Sequence, residues 1–557
     1  MTRRSASRAV APRESGRGPA RVALSRRGFL GALGAVGVGS VALAGCGVFG
    51  IDTPPGQTGD TLPSTRPLPE PYTVPLPRPA VARPTGTLDG ADLYEVTQRA
   101  ADVEILPGAR TTIWGYDGTF PGPTFETRRG RPVVVRHTNA LPVPTVAHLH
   151  GGHTAPEHDG WPLDLLVPAG QAAPHQHMPG DLALGTRDHR YPLDQRAALL
   201  WYHDHRMDFT GPAVYRGLAG LFVVRDDEED ALPLPRGDRE IPLLIVDRSF
   251  DADGQFAYPS LDRTLTRVPG VQSEWMEGVL GDQILVNGAP APFVEVDAAR
   301  HRLRILNASN ARRLSLSLQV PGAPDLPITQ IGSDGGLLAA PVELSRVDLA
   351  PGERLDVVVD LGRVPVGTAV TMVNALSSTS APMVGSASST SAPMVGSASS
   401  TSAREVLQFR VVRAARDDSA VPARLSTIEP LVPGPVRREF VFRRGQAGDH
   451  SGWTINDRTF DPDVSQADVP LGRTETWRFR SDVHHPVHLH LDHFQVLSRD
   501  GRGPGPFDAG WKDTVDVRPG EIVDVAVRFT GYRGRYVLHC HNLEHEDMAM
   551  MATIRTV

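Results

Sequence analysis

Four short segments of this chain each set two histidines one residue apart: Ala147-His-Leu-His-Gly-Gly152, Trp201-Tyr-His-Asp-His205, His485-Pro-Val-His-Leu-His490 and His539-Cys-His-Asn-Leu-Glu-His545. In a β-strand residues i and i+2 share a face, so each pair presents two imidazoles to one place. A single His-x-His on a surface strand is commonly just solvated. Four of them supply eight imidazoles, enough for a cluster of metal ions and far more than one zinc takes. Two pairs lie early in the chain and two at its end, so a shared centre needs strands from distant domains.

The rest of the sequence supports a β fold. Its 55 Gly and 50 Pro mark many turns, and long helices are expected to be scarce. Three segments resemble one another, each a charged turn entering an alternating strand: Arg129–Asn139, Ala299–Asn307 and Leu471–Ser481. A second motif, Pro351-Gly-Glu-Arg-Leu-Asp-Val-Val-Val-Asp360, returns as Pro519-Gly-Glu-Ile-Val-Asp-Val-Ala-Val-Arg528. At 557 residues the chain exceeds one hydrophobic core. The economical reading is an all-β protein of three consecutive Greek-key β-sandwich or barrel domains near 85–235, 240–415 and 430–557. Inside the second, an 11-residue Ser/Ala/Met repeat over about 377–403 cannot bury enough apolar surface to offset the entropy of ordering, and is expected to be a disordered loop.

The N-terminus reads as an address. Ser25-Arg26-Arg27-Gly28-Phe29-Leu30 looks like a twin-arginine export signal, followed by an apolar stretch to Ala44. Leu43-Ala44-Gly45-Cys46 resembles a bacterial lipobox. An uncleaved anchor or a plain signal cut elsewhere are the alternatives, and all place the body outside the cytoplasm, with 1–46 as the signal and 47–84 as a Pro/Gly/Thr-rich tether. The formal net charge is −7 although residues 1–46 hold eight Arg against one acid, Glu14. The body is therefore acidic, without the basic stripe that nucleic acid requires.

With Cys46 lipidated or removed, Cys540 stands alone, and its neighbours give it a purpose. It lies between His539 and His541 and points to the opposite face of their strand; His545 and Met550 follow, and His485 precedes the third pair. A thiolate, two imidazoles and a distant thioether form the ligand set of a blue copper site. Only a few covalent bonds join such a site to the imidazoles on either side.

In order and spacing the four segments match the signatures of multicopper oxidases, and the body from about residue 85 resembles the bacterial laccases of the spore-coat type, bilirubin oxidase and phenoxazinone synthase. The resemblance implies three cupredoxin-like domains and four copper ions per chain. Carried over, His485, Cys540, His545 and Met550 would bind a type 1 copper, with Met551 the near neighbour that spacing disfavours. His148 and His488 would bind a type 2 copper, and His150, His203, His205, His490, His539 and His541 a type 3 pair. It further implies one-electron oxidation of a small aromatic donor (phenol, aminophenol or tetrapyrrole) coupled to reduction of dioxygen to water. The edge of His485 is expected to face a surface depression and receive electrons. Asp159 and Glu546 are candidates for supplying protons, against the plainer readings of a turn residue and an ion-pair partner.

Rival expectations are a metal-ion oxidase acting on Cu(I) or Mn(II), and a copper-free scaffold of the same fold. Copper nitrite reductase also shares the cupredoxin fold, but does not use eight cluster imidazoles. The other histidines, His137, His153, His158, His175, His177, His189, His301, His450, His484 and His493, are expected mostly on solvated loops, with His153 and His493 near enough to support the motif imidazoles from behind.

Overall fold

The three related segments take equivalent places in three β-sandwiches. In the computed structural model, which describes residues 56–171, 180–376, 403–447 and 450–557, they form the strands Val133–Asn139, Arg300–Asn307 and Thr474–Ser481. Each lies parallel to the long strand opening its own sandwich: Ala91–Glu104, Glu240–Phe250 or Val436–Ala447. The two Pro-Gly-Glu motifs lead into Arg354–Asp360 and Ile522–Arg528, which pair antiparallel on the other side of those strands. One topology has been written three times. Period-two patterning explains the burial, since the apolar face of each strand meets the facing sheet at ~1.5–3 kcal/mol per large side chain removed from water.

Among the described residues each sandwich has two sheets, and the longest helix, Thr210–Arg216, has seven residues. The cores are separate: Val135, Leu200 and Phe222 in the first, Leu303, Val357 and Phe409 in the second, Trp477, Val525 and Leu538 in the third. A further cluster, including Trp201, Leu221, Leu244, Leu306 and Leu543, joins elements of all three.

One expectation needs correction. From Gly56 onward the supposed tether is a packed strap rather than a spacer. Asp60–Leu62 pairs in parallel with Val279–Gly281, Leu76 N–H donates to Phe293 O at 2.7 Å, Ala82 N–H to Thr124 O at 2.8 Å, and Tyr72 donates to Glu405. Proline presets an extended backbone, so laying the strap down costs little entropy. The export signal, Cys46 and nearly all of the Ser/Ala/Met repeat lie outside the described residues.

Candidate metal centre

Two pairs of neighbouring strands build the histidine cluster. In the first sandwich Ala147–His150 runs antiparallel to Ala198–Asp204, with His148 opposite His203 and Trp201 opposite His150. In the third, His485–Leu489 runs antiparallel to Gly534–Cys540, with His488 opposite His539, and His541 N–H donates to Pro486 O at 2.6 Å. The two pairs face one another. His148 stacks on His490 at 3.9 Å between ring centroids and His150 on His488 at 3.7 Å, so imidazoles from opposite ends of the chain interleave.

Four groups of donor atoms result, each within 4.8 Å internally: His148, His150 and His488; His150, His203 and His541; His205, His490 and His539; and His485, Cys540 and His545. A fifth, His148, Asp159 and His490, overlaps the first and third. All eight motif imidazoles are brought together, with Cys540 on the reverse side of its strand as the alternation requires.

The outer nitrogens are held by the protein. His148 Nδ1 lies 2.5 Å from Asp159 O, His203 Nδ1 2.8 Å from Asp204 O, His488 Nδ1 2.9 Å from Asp513 O, and His150 Nε2 3.1 Å from Asp513 Oδ1. Their other nitrogens, His148 Nε2, His203 Nε2, His488 Nε2 and His150 Nδ1, are buried without a hydrogen-bond partner, as are both nitrogens of His541. His490 Nε2 and His205 Nε2 converge on His539 Nε2 at 3.3 and 3.4 Å. An orphaned buried polar atom costs ~1–3 kcal/mol. A cage of inward lone pairs therefore disfavours the fold unless cations fill it, and the donor set fits the copper cluster that the motifs imply. Burial, and then mutual proximity, push His148, His488, His490 and His541 well below the usual histidine range, which keeps them as neutral ligands.

The fourth group is compact. His485 Nδ1 lies 3.4 Å and His545 Nδ1 3.6 Å from Cys540 Sγ, and the two nitrogens are 3.1 Å apart. Burial pushes the Cys540 thiol well above its ordinary value; only a cation beside it would favour the thiolate. Met550 packs in the same apolar core as Cys540, whereas Met551 turns away into a cluster with Trp161 and Val537. Trp453 stacks on His545 at 3.8 Å.

His485 does not face an open depression. It is 0% exposed, and its Nε2 meets Asp482 Oδ1 at 3.0 Å. The outer nitrogen of His545 is likewise covered, 3.2 Å from Glu277 O. Of these covering neighbours, the Asp482 side chain is 37% exposed.

Asp159 and Glu546 lie against the cluster. Asp159 Oδ2 accepts from His490 Nδ1 at 2.7 Å, while Glu546 lies 3.4 Å from His205 Nδ1 and 3.2 Å from His539 Nδ1. Asp159 does sit in a turn, closing the short 3-10 helix Pro156–His158, but it is buried there against an imidazole, and Glu546 is paired with histidines rather than with arginine. The expectation of solvated loops fails for His137, His189, His301 and His484, which are buried. His493 approaches Asp513 at 3.4 Å, and His153 pairs with Asp194 at 2.8 Å rather than with the cluster. Sequence reasoning missed Asp513, which serves both His150 and His488. Its only signal was its place in Trp511-Lys-Asp-Thr514, which reads as an ordinary polar turn.

The chain is similar to known proteins. Family models described as multicopper oxidase match residues 97–229 and 435–557, the segments that carry the cluster. The chain is 33% identical to a laccase of Bacillus subtilis, over 86% of this chain and 96% of the relative. It is 34% identical to the bilirubin oxidase of Albifimbria verrucaria, over 86% and 80%. The crystal structure of a multi-copper oxidase from Pediococcus acidilactici superposes with a TM-score of 0.72 at 29% identity, covering 89% and 93% of the two chains. The cage of imidazoles, the cysteine wired behind it and a likeness that spans both chains lead to one conclusion: this protein belongs to the multicopper oxidase family.

Proposed function

We propose that this laccase-like oxidoreductase holds four copper ions, takes electrons singly from small aromatic donors of the phenol, aminophenol or tetrapyrrole kind, and delivers them to dioxygen. The observation carrying this reading is the cage of buried, unpartnered imidazole nitrogens backed by a cysteine lying between two histidines. His485, Cys540, His545 and Met550 are assigned to a type 1 copper, His148 and His488 to a type 2 copper, and His150, His203, His205, His490, His539 and His541 to a type 3 pair. Copper, when bound, supplies the one-electron redox chemistry and the reduction of dioxygen that no side chain here performs.

The chain's own work is positional. Fixed outer hydrogen bonds on six of the eight imidazoles, His148, His150, His203, His488, His490 and His539, leave little freedom in where a metal sits. The backbone of Cys540 joins its sulfur to His539 and His541 through a few bonds, a short path between the two centres. Donors dock over Asp482 and Glu277, the neighbours covering the imidazoles on the type 1 side. Asp159 holds His490 in orientation, Glu546 lies against His205 and His539, and as buried carboxylates beside the cluster the two supply its protons. The export reading gives the enzyme an extracytoplasmic setting, lipid-anchored at Cys46; mass spectrometry of the mature N-terminus tests that part.

Metal analysis tests the whole. Close to four coppers per purified chain is expected, and a stoichiometry near one would overturn the assignment. Steady-state rates with an aminophenol against Cu(I) and Mn(II) test the donor class, with the aminophenol expected to be the fastest.

A further inference from the structure

The middle sandwich, among the described residues, gives no imidazole to either centre, yet one of its side chains reaches the cluster. Arg354 is fully buried, and all five of its guanidinium N–H groups are used. Nε donates to Leu199 O at 3.1 Å in the first domain. Nη1 donates to Gly352 O at 3.0 Å and Nη2 to Asp334 O at 3.2 Å in the second. Nη1 and Nη2 together grip Asp513 in the third, at 2.7 and 2.5 Å. Asp513 in turn holds His150 Nε2 through its side chain and His488 Nδ1 through its carbonyl.

The repeated motif shows that this is not a generic feature of the fold. In the copy at Pro519 the position matching Arg354 is Ile522, and a Cβ placed on the matching glycine, Gly520, would meet nothing within 4 Å. In the middle domain a Cβ on Gly352 (φ +85°) would sit 3.0 Å from the His541 ring and 3.2 Å from His150. Opposite, a Cβ on Gly151 (φ +82°) would lie 2.6 Å from Arg354 Nη2. Bare backbone on both sides gives the guanidinium and the imidazoles room to meet.

We propose that Arg354 is a positioning residue, by which the ligand-free middle domain sets the orientation of His150 and His488 through Asp513. The inference rests on the assignment of those histidines to the cluster. Lysine keeps the charge but has three donors and no planar fork, so Arg354→Lys separates geometry from charge.

In the copper-loaded protein, Arg354→Lys should lower oxidase turnover about 10–100-fold, as for other groups that brace metal-binding histidines. It should also change the hyperfine pattern of the type 2 copper in electron paramagnetic resonance, while the blue absorption of the Cys540 site stays at the wild-type value. Asp513→Asn, nearly isosteric, carries the same test should the arginine variant fold poorly, and the double variant should be no worse than the poorer single one. A wild-type type 2 signal in both variants, equal loss of both copper signals, or strict additivity would each overturn the proposal. Copper missing from the wild-type protein would instead sink the functional reading beneath it.

Discussion

Cys540 is 0% exposed, and burial holds its thiol protonated until a cation is present. A serine hydroxyl does not ionise in its place. Cys540→Ser should therefore lose the blue absorption and turnover on a phenol together, while the metal-free chain still folds; a variant still active on the phenol would contradict the assignment. Asp159 allows a finer test because it combines two roles. Asparagine keeps an acceptor for His490 but carries no transferable proton, whereas alanine removes both. Turnover should fall at least ~10-fold in Asp159→Asn and further in Asp159→Ala, measured with an aminophenol at saturating oxygen. Asparagine within about twofold of wild type would leave orientation as the sole role.

At the scale of elements, alternation alone carries the histidine sites. Two-residue periodicity put His148 with His150 and His539 with His541, and sent Cys540 the other way, before any tertiary contact was known. The same rule misleads in the strand Arg300–Asn307, whose arginine face looks solvent-directed. Arg302 and Arg304 are buried, held by Glu229, Glu240 and Asp356. Nothing local announces those partners, since Glu229 lies in the short helix Asp227–Asp230 about seventy residues earlier. Burial alone would raise Glu229 and Glu240, but Arg304 and Arg302 outweigh it and bring both to about 2 from the ordinary 4.5.

Folded-state values below the unfolded ones stabilise the protein above about pH 4.5, and that stability is lost as pH falls toward 2; for the pair it is on the order of several kcal/mol. The thermal midpoint should drop across that window, and Glu229→Gln should flatten the drop while lowering stability at pH 7. An unchanged slope in the variant would show that the network does not control acid stability. Arg354 and Asp513 were hidden for the same reason, since a buried ion pair between distant segments leaves no periodic trace. The strap from Gly56 was misread because proline-rich sequence describes an extended chain equally well whether it is free or packed.

For the whole molecule, the cluster lies where the first and third sandwiches meet, with the middle one bracing it from the side. Domain count and repetition were legible because the fold is written three times. The seam was not, because it depends on which faces meet. A centre spanning two domains makes metal binding part of tertiary stability: a ligand bound only by the folded state adds about 4 kcal/mol at a thousand times its Kd. Removing copper with a chelator should lower the melting temperature by several degrees, as read by calorimetry, and readdition should restore it; identical melting with and without metal would mean the cluster does not tie the domains together.

The central claim is spatial, so anomalous diffraction at the copper edge from copper-loaded crystals tests it most directly. Three peaks are predicted among the eight interleaved imidazoles, and a fourth beside Cys540, His485 and His545. A map with no density inside the cage, or with metal bound only at histidines outside it such as His158, would contradict it.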